Sequence, residues 1–421
     1  MTRCTWALRI GLALALLAGG WYWFTPVPTL RPVASFPGEP SHVVPCDIGI
    51  FNGTTLYDWQ GVSRWRIPLP SPPILTPAMQ HLVVHRQRGQ HALSSNGDYL
   101  AQIFVDGRKV GVTLYHRGDE VGRHPLYDVA LFSDRPPGFA DPWCIHVRDD
   151  GAVWVWLYRK YPTPAFLLRG ARVVATGKLP PYSMLTPDGR YLAVGLPSGD
   201  GQFYRTIVRQ RRLTFTKLIT VPRAVHTEMR TTPDGKPYLD IEPARLYPDH
   251  VWHACDKWLY WPTGKKRRLD FDLSRDCSNG RQIVDFYPTK LTNEVRIVHP
   301  ATGKGWSLQA SKNDHSSNYF HSIDANDQYA LVSVDDDERP MWMHTACMWL
   351  RHYWVPVRLP SDKTTFKLYA RSGRLVAQYR LSKECSCCTD RRFYLSPDGR
   401  QVYFVNSAPN LDKSERIVLL R

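Results

Sequence analysis

A short turn rich in glycine, asparagine and aspartate recurs seven times along this chain of 421 residues, each time between two apolar runs. The clearest copy is Ser396-Pro397-Asp398-Gly399-Arg400. The other copies are Ser95-Asn96-Gly97, Asp149-Asp150-Gly151, Thr186-Pro187-Asp188-Gly189, Thr232-Pro233-Asp234-Gly235, Ser278-Asn279-Gly280 and Asn326-Asp327. Successive copies are mostly about 46 residues apart, which indicates a chain built from structural repeats.

Each turn predicts a β-hairpin. Asp-Gly and Asn-Gly pairs tolerate the positive φ that a tight turn requires, and a preceding proline presets the entry to the turn. The runs that follow, such as residues 191–194, 282–286, 329–334 and 401–405, are rich in β-branched and aromatic residues. That composition favours strands.

A second pattern occurs five times, where a strand ending in Leu-Tyr or a similar pair leads through a glycine turn into another strand. Copies lie at residues 56–61, 114–118, 259–265, 296–304 and 368–374. Two hairpins per period make four antiparallel strands, which is one blade of a β-propeller.

The Ser/Thr-Pro-Asp-Gly-Arg/Lys turns at 186–190, 232–236 and 396–400, together with the Leu-Tyr-x-x-x-Gly stretches, resemble the TolB-like and WD-type β-propeller families. The resemblance covers roughly residues 42–421. The repeated Trp-Asp dipeptide of the WD type is missing, so the Pro-Asp-Gly type is the closer match. The resemblance implies an architecture used mostly for binding scaffolds, with a minority of hydrolases and oxidoreductases.

We therefore expect an all-β fold consisting of a single β-propeller over residues 42–421. Seven turns predict seven blades. An eighth is possible because residues 42–67 hold a strand pair without the turn motif. A closing strand contributed by residues 42–52 would protect the edges of the terminal blades.

The N-terminus carries a hydrophobic leader. Arg3 and Arg9 precede an uncharged apolar stretch within residues 1–24, a pattern typical of a secretory signal or of a single transmembrane anchor. The aromatic cluster at residues 21–24 favours the anchor. Either alternative places the propeller outside the cytoplasm, in the periplasm or at the cell exterior. Residues 25–41, with five prolines, are predicted to be an extended linker.

Eight of the nine cysteines lie outside the leader, at positions 46, 144, 255, 277, 347, 385, 387 and 388. An even number in an exported chain favours disulfides, although the sequence leaves their connectivity open. Cys255 and Cys277 are a reasonable local pair.

The chain is basic, with a formal net charge of +16. This charge favours contact with an anionic surface such as lipid headgroups or acidic glycans. A solvated basic surface without such a role is the favoured interpretation. Clusters at residues 209–212 and 265–268 are expected on outer hairpins of blades. An exported propeller is not expected to bind nucleic acid.

The candidate binding surface is an insertion rich in methionine, histidine and tryptophan. Its residues are Met341, Trp342, Met343, His344, Met348, Trp349, His352 and Trp354. Methionine and aromatic side chains suit an adaptable docking surface. The same soft ligands could hold copper, which is the less favoured interpretation.

Three further groups of residues resemble metal ligands, but each is better explained without a metal. Cys385-Ser386-Cys387-Cys388 lacks the paired Cys-x-x-Cys spacing of zinc sites. Asp335-Asp336-Asp337-Glu338 lacks the pattern of a calcium loop. Scattered histidines, such as His226, His250, His253, His315 and His321, cannot be assigned to one site. We predict no metal and no cofactor.

The sequence favours a membrane-anchored, extracytoplasmic propeller that acts as a non-catalytic scaffold for a protein, cell-envelope or other ligand. The alternative is a propeller hydrolase or metal-dependent oxidoreductase with its site at the central channel. The common catalytic motifs are missing from the sequence, which favours the scaffold. A third interpretation, an envelope module that binds polyanionic glycan, depends on charge alone.

Overall fold

The computed structural model describes residues 29–37, 43–68, 91–128, 143–157, 161–186, 188–195, 201–221, 224–231, 237–246, 252–254, 257–269, 274–276, 283–289, 292–299, 304–309, 320–336, 363–380, 391–406 and 416–421. All regular elements within these ranges are β-strands. No helix in the described ranges is long and apolar enough to cross a membrane. The predicted leader, residues 1–24, lies outside them.

The strands fall into four-stranded antiparallel groups, which we call units one to eight. Unit one contains β2 (Val44–Cys46), β3 (Gly49–Phe51), β4 (Thr55–Asp58) and β5 (Ser63–Arg66). Unit two contains β6 (His91–Leu93), β7 (Tyr99–Asp106), β8 (Lys109–His116) and β9 (Asp119–Asp128). Unit three contains β10 (Trp143–Val147), β11 (Ala152–Leu157), β12 (Thr163–Arg169) and β13 (Arg172–Leu179). Unit four contains β14 (Ser183–Leu185), β15 (Tyr191–Gly195), β16 (Gly201–Arg209) and β17 (Arg212–Val221).

The second half of the chain continues this order. Unit five contains β18 (Ala224–Thr231), β19 (Pro237–Leu246), β21 (Lys257–Tyr260) and β22 (Lys266–Leu269), with the short β20 (Trp252–Ala254) paired to β19. Unit six contains β23 (Ser274–Asp276), β24 (Ile283–Thr289), β25 (Thr292–Val298) and β26 (Gly305–Gln309). Unit seven contains β27 (Phe320–Ala325), β28 (Tyr329–Asp336), β29 (Lys363–Ala370) and β30 (Leu375–Arg380). Unit eight contains β31 (Arg391–Leu395), β32 (Val402–Asn406), β33 (Arg416–Leu420) and the N-terminal β1 (Pro32–Pro37).

The N-terminal strand β1 completes the last unit. It pairs antiparallel with β33, with Pro32 opposite Leu420 and Pro37 opposite Arg416. The prediction that residues 42–52 supply the closing strand was wrong, because they contribute β2 and β3 to unit one. The closing strand instead comes from the proline-rich segment interpreted as a linker. Proline is tolerated there because the outer strand needs N–H donors on only one edge.

The predicted hairpins are confirmed. In units two, three, four, seven and eight the turn motif connects the first and second strands. The motifs at residues 232–235 and 278–280 lie outside the described residues. The Leu-Tyr stretches lie at the hairpins between third and fourth strands. Successive antiparallel four-stranded units, closed by a terminal strand, form the β-propeller arrangement. We call the side that carries both kinds of turn the turn face.

The hydrophobic core lies between neighbouring units. Ala101, Val112 and Leu114 of unit two pack with Val153 and Val155 of unit three. The junction of units eight and one is built in the same way, with Tyr403 and Leu419 packed against Ile50 and Trp59. Strands buried on both faces explain the continuous apolar run Ala152–Leu157, all of whose residues are buried. At the junctions where these clusters lie, neighbouring units therefore stabilise one another.

Candidate functional site

The predicted binding insertion, residues 341–354, lies outside the described residues. The structure describes the strands on either side of it, since β28 ends at Asp336 and β29 begins at Lys363, and these two residues pair. The loop therefore starts and ends at the side opposite the turn face. Its role in binding stays a prediction. The Cys385–Cys388 cluster, Cys255 and Cys277 also lie outside the described residues.

The turn motif forms the same hydrogen-bonded network in three units. In unit eight, the Ser396 hydroxyl donates to Asp398 Oδ1 at 2.6 Å and accepts from the Gln401 amide at 2.9 Å. Thr186 with Asp188 and Ser94 with Asn96 repeat this pattern. The acidic or amide side chain of the motif is thus used to fix its own turn.

Neighbouring turns are also bonded to one another across the turn face. The Asp47 amide donates to the Ser95 carbonyl at 2.9 Å, and the Asn96 amide donates to Asp149 Oδ1 at 2.9 Å. Arg148 Nη1 reaches the Asp188 carbonyl at 3.3 Å. In the last two units, Asn326 Nδ2 donates to the Ser396 and Pro397 carbonyls at 3.2 Å. These bonds hold the turns in a fixed arrangement.

A cleft of about 300 Å³ opens on this face between units two and three. It is lined by Tyr99, Leu100, Leu114, Tyr115, His116, Val121, Asp150, Gly151, Val153, Arg169 and Gly170. Its volume lies at the lower end of the range for small-ligand or side-chain pockets.

One wall of the cleft is aromatic. The rings of Tyr99 and His116 stack with their centroids 4.6 Å apart. Gly151 lies against the same tyrosine, and a Cβ at Gly151 would be 2.7 Å from the Tyr99 ring. Burial raises the pKa of the neighbouring Tyr115, whose hydroxyl donates to Gln102 Oε1 at 3.4 Å. The wall is therefore an aromatic, preorganised stacking surface.

The other wall carries a fixed carboxylate. Asp150 accepts from Arg169 Nη2 at 2.7 Å and from Arg148 Nε at 3.2 Å. A second arginine–aspartate pair, Arg117 with Asp98, lies beside the cleft with bonds of 2.9 and 3.2 Å. Exposed pairs of this kind add little stability. Their effect is to present oriented donors and acceptors beside an apolar cavity.

His146 lies on β10, the first strand of unit three. Its ring is 5.1 Å from that of Trp156, and burial lowers the pKa of His146 to about 4, opposed by a hydrogen bond with the Leu185 backbone of unit four. The imidazole is therefore neutral near pH 7. Sequence reasoning did not single out His146 or His116. The histidine positions it named have side chains outside the described part of the structure.

The described residues hold no group of three or more histidine, cysteine, aspartate or glutamate side chains that could bind a metal. Cys46 carries a free thiol, so the disulfide prediction does not hold for this residue. Burial raises the pKa of the Cys46 thiol to about 11.

Similarity to known proteins is found at the level of structure. No family model matches the sequence, and no curated protein sequence matches it. Solved structures with a similar backbone fold include the WD40 domain of SCAP from fission yeast. The two sequences are 11% identical, the TM-score is 0.42, and the match covers 94% of this chain and 96% of the SCAP domain. Another is dihydro-heme d1 dehydrogenase NirN, at 13% identity and a TM-score of 0.41, covering 84% of this chain and 67% of the other. At these TM-scores the likeness carries no argument about function, and the fold assignment rests on the sheet topology.

Proposed function

We propose that this protein is a non-catalytic binding scaffold, built as an eight-bladed β-propeller and held at a membrane on the extracytoplasmic side. The main support for this proposal is the cleft between units two and three, which combines a stacked aromatic pair with a fixed carboxylate. Such a site recognises a side chain or small group that is flat or aliphatic and bears a polar end. Its ligand is a segment of a protein or cell-envelope partner.

The eight-bladed assignment is supported by the strand grouping. Each unit has four main strands, with β20 as an additional short strand in unit five. Unit one forms around Asp47 and Ile48 without the glycine turn motif. Ile48 takes part by packing against Gly97 of unit two, where a Cβ would lie 2.8 Å from it. The unit that lacks the motif is thus joined to its neighbour in the same way as the rest.

Rigidity of the turn face supports a scaffold role. The turns around the cleft are bonded within and between units, so the walls are positioned before a ligand arrives. Preorganisation of this kind lowers the ordering cost of binding.

Photo-crosslinking tests the binding site in the cell that makes this protein. A photoreactive phenylalanine analogue replaces Tyr99 in one variant and Val62 in the control, since Val62 is 58% exposed on unit one and does not line the cleft. We expect one defined adduct at position 99, lost when Asp150→Asn and Arg169→Gln are added. Equal adducts at both positions, or none at position 99, would reject the cleft as the binding site.

The membrane location is tested separately. A topology reporter fused after Arg421 reports the compartment, and extraction with alkaline carbonate distinguishes an anchored chain from a cleaved one. We expect an extracytoplasmic reporter signal and retention in the membrane fraction. Release by carbonate would favour a cleaved signal.

A further inference from the structure

The outer strands of units three and four carry a concentration of positive charge. This region consists of the β16–β17 hairpin, with its two-residue turn, and the neighbouring strand β13. It contains seven basic residues and no carboxylate. All seven are exposed: Arg172, Lys178, Arg205, Arg209, Arg211, Arg212 and Lys217. We call these residues the basic edge. Within the described part of the chain, no ion pair joins any of them to an acidic side chain.

Exposed aliphatic side chains are interleaved with these charges. Val173, Ile207, Val208 and Leu218 are 43%, 40%, 47% and 38% exposed, respectively. One face of the β16–β17 hairpin presents Ile207 beside Arg205 and Arg209, with Arg209 opposite Arg212. Val208 follows Ile207 in β16 and therefore lies on the other face of the sheet. On the Ile207 face, an aliphatic group set among cations and outside the cleft suits a broad, flat anionic surface.

The basic edge belongs to one continuous sheet. Thr176 of β13 pairs with Arg212 of β17, and the Thr176 amide donates to the Arg211 carbonyl at 3.1 Å. Gly177 permits this approach, because a Cβ there would lie 2.5 Å from Leu213 Cβ. The cations of two units are therefore fixed relative to one another.

The tip of the hairpin has two residues in the left-handed backbone region. Gln210 and Arg211 have φ values of 47° and 61°. Two-residue hairpins with positive φ at both positions normally use Asn-Gly, because other side chains are strained there. Backbone strain that is retained at an exposed tip points to function.

We propose that the basic edge docks on the surface of an anionic phospholipid bilayer. Guanidinium groups bind phosphate through paired donors, and the exposed Ile207 side chain inserts among the headgroups. A flat bilayer can meet residues spread over three strands, whereas an acidic peptide needs a groove, and the cleft in the described residues lies elsewhere, between units two and three. The inference extends the proposed membrane location.

Hydrogen exchange of the full chain in nanodiscs tests this surface. One set of nanodiscs contains phosphatidylcholine alone, and the other also contains phosphatidylglycerol. We expect amides in residues 205–216 to exchange several-fold more slowly in the anionic discs, with the difference lost in Arg211→Gln/Arg212→Gln and at high salt. The matched control, Arg108→Gln/Lys109→Gln, removes two exposed charges from the β7–β8 hairpin on the opposite face and should keep the protection.

The outcomes separate the two proposals. If the chain elutes separately from the discs, the proposed membrane anchor is wrong. Sedimentation of that soluble chain with vesicles of the same two lipid compositions then tests the basic edge directly. A chain that binds discs or vesicles without lipid-dependent protection of residues 205–216 would overturn the basic edge. The basic edge would also be overturned if the test variant and the control variant lost protection equally. It would likewise be overturned if an added acidic protein protected residues 205–216 and anionic lipid did not.

Discussion

Gly189 of unit four packs directly against the indole ring of Trp154 in unit three, so closely that any Cβ at Gly189 would overlap the ring. The same relationship joins Gly399 to Tyr329 and Gly151 to Tyr99. The turn glycine therefore has two functions: it supplies positive φ within its own unit and makes room for an aromatic side chain of the preceding unit. The repeated motif is a contact between units as well as a turn.

This double requirement predicts that Gly189→Ala destabilises the folded protein unusually strongly. Gly189 has φ of 69°, and the new methyl group must also displace Trp154. We expect a loss of about 2–5 kcal/mol in the free energy of unfolding, measured by chemical denaturation of the full chain. Gly264→Ala is the matched control, because Gly264 has φ of 82° but a Cβ added there would meet nothing within 4 Å. It should cost only about 1–2 kcal/mol, and equal losses in the two variants would remove the packing argument.

The hairpin tip of the basic edge predicts a trade-off between stability and binding. Gln210→Asn/Arg211→Gly installs the residues that two positive φ values favour. The free energy of unfolding should rise by about 1–2 kcal/mol, while lipid-dependent protection of residues 205–216 falls. Thermal unfolding and hydrogen exchange on the same sample check the two effects. A stabilised variant that keeps full protection would show that charge at position 211 is not needed.

His146 predicts a specific pH dependence of stability. Its pKa is about 4 in the folded chain and 6.5 ordinarily, so the unfolded state binds the proton more tightly. The stabilising contribution is fully present above pH 6.5 and is lost as pH falls towards 4, with a limit of roughly 3 kcal/mol. Denaturation series at several pH values should show a flatter profile across this window for His146→Gln. An unchanged slope would assign the acid sensitivity to other groups.

Cys46 should be a slow nucleophile in the folded protein. Burial raises the pKa of its thiol to about 11, so the thiolate is scarce at pH 8 and alkylation should be about 100-fold slower than in the unfolded chain. Labelling with iodoacetamide, followed by mass spectrometry of the peptide containing Cys46, measures the rate with and without urea. Rapid labelling in the native state would show that the strand β2 opens readily.

Local sequence patterns predicted the hairpins because their cause is local. Positive φ at Gly97, Gly151, Gly189 and Gly399 follows from turn chemistry within a few residues, and the structure confirms it. The closing strand was misplaced for the opposite reason. Its identity depends on which segment meets β33, and Pro32–Pro37 carry no strand signal of their own.

The candidate site could be predicted only in part. Tyr99 and Asp150 both adjoin turn motifs, but they belong to different units, and nothing in their separation along the chain indicates that they line one cleft. The cluster at residues 209–212 was visible as a basic run at an outer hairpin. Its continuity with Arg172 and Lys178 depends on the pairing of Thr176 with Arg212.

The amino-acid sequence by itself determined the repeating unit, the position of each turn and the all-β character, because turn residues and strand composition act over a few neighbours. Tertiary structure decided which strand closes the last unit, which side chain of the preceding unit each turn glycine meets and which charges share a surface. Those outcomes depend on packing between units, where residues far apart in the chain compete for the same neighbours.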